Sequence, residues 1–476
     1  MEFTQFLKGQ LDIFAQQMVK LADQFGSGDL TPEGFRKGFE GLKGAVNRLG
    51  AASFVALVEE ADTTASTIDR DGKIYRRKKE PSSKKWCTPW GKVSVDRGLY
   101  QQDRGGEAYI PLDERCGMVD RFMTPDLEEV SVLLGTRIVP TEVHEALARV
   151  YPDAPSRTAI RNALTQAGAY IEKHLPDLED TLAKEAPLDT RGDILVASLD
   201  GTTVPLREPA PHRGRPAERP GVKDSDESPT AWKEAGVGLV SVYESPLDPS
   251  AEEEEAERRD VRYFGRMPEP KMAHLVSQIT DQARAALQKG SFEHKVFIAD
   301  GKKEIWRTVQ ENPVFSEFTP VLDYWHAVQH LSSAAEAVFG KKSDLAKAYF
   351  ERWRHSLKHD PGAVEGLIRS LVRYQKGFGK RSESYKVLKR EIGYFRANRT
   401  RMDYAGYRAK GLPIGSGPVE AACKTLVGHR LKRSGMRWAR PNGQEILNLR
   451  APLLSKRWDV TWNWYLTHST KMANAA

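Results

Sequence analysis

Ile194-Leu195-Val196-Ala197-Ser198-Leu199-Asp200-Gly201-Thr202 and, further along, Val296-Phe297-Ile298-Ala299-Asp300-Gly301 decide the fold. Each is a short apolar run that ends on an Asp-Gly pair. Such runs, bounded by turn residues, read as buried strands. Around them the order is legible. Ile194 to Leu199 is a first strand, ended by Asp200-Gly201, and Thr203 to Leu206 continues extended. Strand-like runs follow at Val237 to Tyr243 and Val261 to Phe264. A Pro-rich loop (Arg207 to Pro229) and an acidic turn (Glu252 to Glu255) separate these runs. An amphipathic helix spans Lys271 to Leu287, with Leu275, Ile279, Ala283 and Leu287 inward. The strand Lys295 to Ala299 comes next, then a short helix carrying Ile305, Trp306 and Val309, and a fifth strand, Thr319 to Leu322. Three antiparallel strands, a crossover helix and then parallel strands flanked by helices is the order of the ribonuclease-H-like fold. Asp200 would lie on its first strand and Asp300 just after its fourth.

A third carboxylate stands in Ile414-Gly415-Ser416-Gly417-Pro418-Val419-Glu420, which reads as a helix start. Ser416 suits the N-cap and Pro418 the first turn. Val419, Cys423, Leu426 and Val427 fall inward, and Glu420 falls on another flank with Lys424 one turn on. Three carboxylates from distant parts of one chain are what a site needs to hold two Mg²⁺ ions, with Mn²⁺ as a substitute, for phosphodiester chemistry.

At 476 residues the chain is too long for one compact core. No stretch approaches the roughly 20 apolar residues that a helix needs to cross a bilayer. The start, Met1-Glu2-Phe3-Thr4, lacks the basic-then-apolar pattern of a signal peptide. Cys87, Cys116 and Cys423 are too few and too scattered for a disulfide framework, so a reducing, cytoplasmic setting is expected. The net charge of +7 is uneven: residues 401–476 carry 13 Lys/Arg against 4 Asp/Glu. A second basic run spans Arg70 to Lys85. Clustered cations suit a polyanion, because each phosphate contact releases condensed counterions.

The N-terminal part reads as helical. Phe3, Phe6, Leu7, Leu11, Phe14, Met18 and Leu21 recur at helical spacing, and a second helix starts at Thr31-Pro32 and carries Phe35, Phe39, Leu42, Val46 and Leu49. Short strands follow between Trp86 and Leu112. Residues 126–175 read as two or three short helices. One ends near Ile138, one starts at Pro140-Thr141 with Val143, Leu147 and Val150 inward, and one starts at Pro155-Ser156 with Ile160, Leu164 and Ala167 inward. Arg157, Thr158, Arg161, Asn162 and Gln166 fall on the outer side of the last helix. A helix pair with a tight turn and such a face fits a helix-turn-helix that enters the major groove, and a small helical bundle gives a similar pattern.

These residues resemble the DDE transposases of bacterial insertion sequences, in the ISKra-type group related to Mutator-like elements. The resemblance runs from about Asp193 to Leu454 and is carried by three blocks. They are Leu199-Asp200-Gly201-Thr202, Ile298-Ala299-Asp300-Gly301 with Leu322-Asp323-Tyr324-Trp325-His326, and Arg401 through Glu420 to Lys424, continuing into Ser434-Gly435-Met436-Arg437-Trp438. It implies that Asp200, Asp300 and Glu420 are a metal-binding DDE triad. It implies that Asp323 to His326 is a Cys/Asp-x-x-His signature on the fifth strand, with His326 on the scissile phosphate or a water. Lys424, Arg430, Lys432, Arg433, Arg437 and Trp438 would grip DNA, with the Trp438 indole stacking on a displaced base.

The fold class it implies is an α+β/α multidomain chain. It has a helical N-terminal DNA-binding region and a ribonuclease-H-like mixed sheet flanked by helices and interrupted by an all-helical insertion. The expected segments are 1–68 (helical), 69–118 (small, β-rich), 119–185 (helix-turn-helix-like), 190–330 (first part of the catalytic core), 331–408 (helical insertion) and 409–476 (Glu420 helix and basic C-terminal region). The implied partners are transposon terminal repeats and target DNA, held by a homodimer or larger assembly. The implied setting is the bacterial cytoplasm, on the nucleoid when DNA is bound. A ribonuclease-H-like nuclease and a domesticated DNA-binding protein are the alternatives.

Many relatives carry paired cysteines near Tyr100 to Tyr109, where this chain has Gln101, Gln102 and Asp103. A structural zinc needs four closed ligands, usually in close pairs. The segment 86–118 is therefore expected to fold on Trp86, Trp90, Tyr100, Tyr109 and Leu112, without zinc. Elemental analysis of purified protein checks this: less than about 0.1 zinc per chain is expected, and a stoichiometric zinc lost together with folding on chelation refutes it.

Overall fold

The computed structural model describes residues 3–26, 31–70, 72–102, 106–207, 230–246 and 256–473. Most of the Pro-rich loop, the acidic turn at Glu252 to Glu255, and Asp103 lie outside the described residues. The chain divides into two compact units, Met1–Lys173 with Thr461–Ala476, and His174–Val460. The expected 409–476 segment is thus divided, because its last helix packs with the first unit.

In the first unit, Phe3–Gly26 and Pro32–Glu60 form a helical hairpin. Thr31 caps the second helix, its Oγ1 accepting from Gly34 N at 3.0 Å. The apolar spacing gives the helices but not an enclosed core: Leu11, Val19, Phe35, Phe39 and Val46 are exposed. Two helices alone can bury only the stripe between them.

The β-rich segment forms a small four-stranded sheet and the hairpin Ser82–Thr88/Gly91–Arg97, over a core of Trp86, Val93, Val95, Leu112 and Met118. Cys87 is buried, its thiol donating to Asp153 O at 3.3 Å, and burial pushes its pKa up to about 11.

Three packed helices follow, Pro125–Arg137, Pro140–Val150 and Arg157–Lys173. Val143, Leu147, Ile160, Leu164 and Ala167 are buried, and Ser156 Oγ accepts from Ala159 N at 3.2 Å. Val150, expected inward, is exposed as the last residue of its helix. The tight turn (Ile138-Val139) lies between the first two helices, and the longer segment 151–156 separates the second from the third. Arg157, Arg161 and Asn162 are exposed. Tyr465, on the last helix (Trp458–Ala473), donates to buried Glu128, which also pairs with Arg121 at 3.1 Å.

The second unit is built on five strands: β1 (Ile194–Arg207), β2 (Thr230–Glu244), β3 (Glu257–Arg266), β4 (His294–Ala299) and β5 (Thr319–Leu322). Their order is β5-β4-β1-β2-β3, with β1, β2 and β3 antiparallel and β4 and β5 parallel to β1. Asp200-Gly201 does not end the first strand. Pairing with β2 runs unbroken from Ile194↔Tyr243 to Arg207↔Thr230 and holds the Asp in mid-strand.

Alternation along the strands sends two sets of side chains to two cores. Leu195, Ala197, Leu199 and Phe297 pack on α1 (Ala273–Lys289) and α2 (Lys303–Glu311). Ile194, Val196, Val296, Ile298 and Val321 pack on the other side. That core includes α3 (Tyr324–Phe339), α4 (Asp344–His359), α5 (Ala363–Gln375), α6 (Glu383–Asn398) and α7 (Tyr404–Ala409). The mixed α/β architecture therefore has one face of its sheet continued into a large helical bundle.

Close approach of α1 to the sheet depends on glycines. A Cβ on Gly238 of β2 would lie 2.2 Å from Ile279 Cδ1, and one on Gly236 would lie 2.5 Å from Leu275 Cδ2. Gly238→Val overpacks this contact and is expected to cost about 1–3 kcal/mol. The check is a lower urea midpoint with an unchanged slope.

Candidate active site

Strand register brings the acids together. Leu199 of β1 pairs with Ala299 of β4, and Ala299 pairs with Leu322 of β5. The next residue in each case is an aspartate: Asp200 within β1, and Asp300 and Asp323 just past the ends of β4 and β5. In-register parallel neighbours share a face and stand about 4.8 Å apart. The three therefore form a row at one level of the sheet. Their parity continues Val196-Ser198, Val296-Ile298 and Val321, so they project on the face that carries the helical bundle.

The row is electrostatically tense. Burial pushes the Asp200 carboxyl above the usual carboxylate range, and the charge of Asp300 adds to this. Gly201 N, at 2.7 Å, and the Cys423 thiol, at 3.5 Å, donate to Asp200 and oppose the rise. Burial and Asp200 hold the Cys423 thiol protonated, so it serves as a donor. Lys302 lies 3.3 Å from Asp300 Oδ2 and 2.5 Å from Glu234 Oε1 on β2. Its ammonium offsets part of the charge, and the two carboxylates hold it protonated against the effect of burial.

Asp323 has a different task. Its carboxylate is buried and accepts from Trp325 N (3.2 Å), His326 N (3.2 Å) and Ser416 N (2.8 Å). It thus caps α3 and fastens the Gly415-Ser416-Gly417 segment to the end of β5. Tyr324 N donates to Ile414 O at 3.0 Å beside it. Asp323 to His326 was expected on the fifth strand, yet Tyr324, Trp325 and His326 form the first turn of α3, because Asp323 ends the strand by capping the helix. His326 Nε2 lies 3.7 Å from Asp323 Oδ2.

Glu420 lies in the first turn of α8 (Gly417–Ala422), with Pro418 in that turn as expected. Ser416 occupies the N-cap without a side-chain capping bond, and its backbone N–H donates to Asp323. Val419, Cys423, Leu426 and Val427 are buried. Glu420 is exposed and pairs with Lys424 at 3.0 Å. It precedes Cys423, the residue that touches Asp200, by one helical turn. Among the described residues, no group of three or more His, Cys, Asp or Glu side chains is arranged to hold a metal ion. The Asp pair is brought together; the third acid stands one turn away on a helix packed against β1 and β2. Adjacent, like-charged hard oxygen donors fit a divalent cation.

After α8 the backbone opens into a π-turn, Cys423–Gly428. Buried Arg450, on α9 (Arg440–Leu454), donates to Leu426 O at 2.7 Å and to Thr425 O, supplying donors to carbonyls that a π-turn leaves short. Beyond it, exposed Lys432 donates to Thr202 on β1. Arg433 and Arg437 are exposed. Arg430, expected to grip DNA, is buried with its guanidinium over the Trp438 ring at 5.3 Å. The Trp438 indole was expected to be available for stacking. Its N–H is committed to Leu431 O at 3.0 Å, and its backbone bridges to Pro205 and Arg207 of β1.

Sequence reasoning did not single out Glu234, Lys302 or Tyr394. The Tyr394 ring occupies the space beside Gly301, where a Cβ would come within 2.3 Å of Cε2. It stacks on His330 at 3.5 Å, and His330 bonds buried Glu391. The Tyr394 hydroxyl is buried with no partner among the described residues. Burial and the charges of Asp300 and Asp323 keep it protonated. A tyrosine at helical spacing reads as core, so only the fold ties it to Asp300.

No family model matches the chain, and no curated protein matches it. Among solved structures, it is similar to the Drosophila P element transposase strand transfer complex at 12% identity and a TM-score of 0.24, covering 73% of this chain and 81% of that one. Overlap at that level transfers no residue role.

A carboxylate held above its ordinary pKa opposes folding once it ionises. The native state then binds more protons than the unfolded chain between the ordinary and the raised value, so stability falls as pH rises through that window. Asp200→Asn removes this cost. Its melting temperature in EDTA is expected to exceed that of the parent by roughly 2–4 °C at pH 7.5, with the gap closing toward pH 4. An equal gap at both pH values refutes the assignment.

Proposed function

We propose that this chain is a DNA transposase of the ISKra-type group with a ribonuclease-H-like catalytic unit, which cuts the ends of an insertion sequence and joins them to target DNA. The observation that carries the reading is the strand register that sets Asp200 and Asp300 side by side, in a sheet of order β5-β4-β1-β2-β3. The sequence blocks around Asp200, Asp300 and Glu420 support it.

Asp200, Asp300 and Glu420 would hold Mg²⁺ or Mn²⁺, which supplies Lewis-acid charge at the attacking and leaving oxygens of an in-line phosphodiester displacement. Lys302 orients Asp300, its backbone N–H donating to Oδ1 at 3.0 Å and its ammonium lying 3.3 Å from Oδ2. The Cys423 thiol and Gly201 N fix the Asp200 carboxylate. Exposed Lys432 and Arg437 offer cations to the DNA backbone, as do Arg157 and Arg161 in the first unit. The attacking group is a water and then a DNA 3′-hydroxyl, so no covalent enzyme intermediate is required. Two copies of the chain, one for each end, complete the reading.

Purified protein is incubated with transposon-end DNA, a second DNA and Mg²⁺. Cleavage followed by strand transfer is expected, and cleavage alone points to a nuclease. Asp200→Ala, Asp300→Ala or Glu420→Ala is expected to lower cleavage by about 10³-fold or more while end binding stays within about threefold of the parent. Retained cleavage in any one variant removes that residue from the triad.

A further inference from the structure

A cleft of about 400 Å³ lies against the segment that leads into Glu420. Its walls carry Trp325 of α3, Arg354, His355, Lys358 and His359 of α4, and Arg408 of α7, and its floor runs from Gly411 to Pro418. No Asp or Glu occurs among its described lining residues. Glu351, just outside, pairs with Arg354 at 2.7 Å, but both side chains are nearly half exposed, and such pairs are weak. Arg408 donates to His359 Nδ1 at 3.1 Å. An arginine can only donate, so that nitrogen carries a lone pair and His359 is neutral. His359 stacks on His355 at 4.3 Å. Its described lining thus presents three cations and two imidazoles.

Trp325 adds a second recognition element. It is 50% exposed, whereas its neighbours Tyr324, Ala327 and Val328 are buried. An indole left in water beside guanidinium and ammonium groups suits a ligand with both a flat ring and a phosphate. The volume is at the lower end of small-ligand sites and suits one nucleotide.

We propose that this cleft takes one unpaired nucleotide of a DNA strand, its base on Trp325 and its phosphate on Arg354, Lys358 and Arg408. A strand is favoured over a free nucleotide because Gly417 and Pro418 line the cleft and Glu420 follows them on the same turn of helix. The inference rests on the proposed function for the identity of the strand.

The test is binding of the full chain in EDTA, where no cleavage occurs, so its outcome is independent of the cleavage assay. Fluorescence anisotropy compares a duplex with one unpaired thymidine, the same duplex with an abasic unit at that place, and the fully paired duplex. The unpaired thymidine is expected to bind about 5- to 100-fold more tightly than the other two. Trp325→Ala is expected to erase the preference of the unpaired over the paired duplex, and Trp325→Phe to restore most of it. Lys358→Ala is expected to lower affinity for the unpaired duplex and to flatten its salt dependence. Equal binding of the three duplexes, or a preference that survives Trp325→Ala, overturns the proposal. Displacement by dTMP at concentrations similar to those of the oligonucleotide also overturns it and assigns the cleft to a free nucleotide.

Discussion

The Asp323 carboxylate is the junction on which the second unit depends. A buried carboxylate would be costly if unpaired, and three backbone N–H donors from two segments satisfy it. Two of these belong to the start of α3, which opens the helical bundle. The third belongs to Ser416, which opens the helix of Glu420. One side chain therefore sets the direction of the bundle and the approach of the third acid at the same sheet edge. Neither helix start has another side-chain cap of its own: α3 relies on Asp323, and α8 has none. Loss of the carboxylate would leave the buried Ser416 N–H and the part-buried first N–H groups of α3 unsatisfied, a larger cost than the loss of one surface cap.

Asp200 and Asp300 show how a fold can hold like charges close without collapsing around them. Each is given donors fixed in the backbone: Gly201 N for Asp200 and Lys302 N for Asp300. The Lys302 ammonium, 3.3 Å from Asp300, is shared with Glu234 and does not belong wholly to the pair. A full neutralising contact would satisfy the site, whereas this partial one leaves it receptive to additional positive charge.

Much of this was legible from sequence because it rests on local patterns. Apolar runs ending in Asp gave β1, β4 and β5, and period-3.6 spacing gave α1 and the inward face of Val419, Cys423, Leu426 and Val427. What was not legible depends on distant pairing. Asp-Gly reads as a turn, and only the partner strand keeps Asp200 in mid-strand. The burial of Arg430 over Trp438 follows from a bridge between Trp438 and Leu206, far apart in the chain. Tyr394 and Lys302 looked like ordinary helix and turn residues until the fold placed them beside Asp300. The hairpin Phe3–Gly26/Pro32–Glu60 has the right period but exposes its apolar side chains, since periodicity reports a stripe and not what covers it.

The return of Thr461–Ala476 to the first unit has a consequence for biosynthesis. Arg121 and Glu128 form a buried pair completed by Tyr465 and Ser469. A ribosome makes Arg121 and Glu128 early and their last partners only after the entire second unit. During synthesis the first unit therefore waits with an ion pair that water must cover, while the second unit has its whole sequence and can close first. The order of completion is the reverse of the order of translation, so a nascent chain stalled or cut before Tyr465 would carry a finished sheet and an unfinished N-terminal bundle.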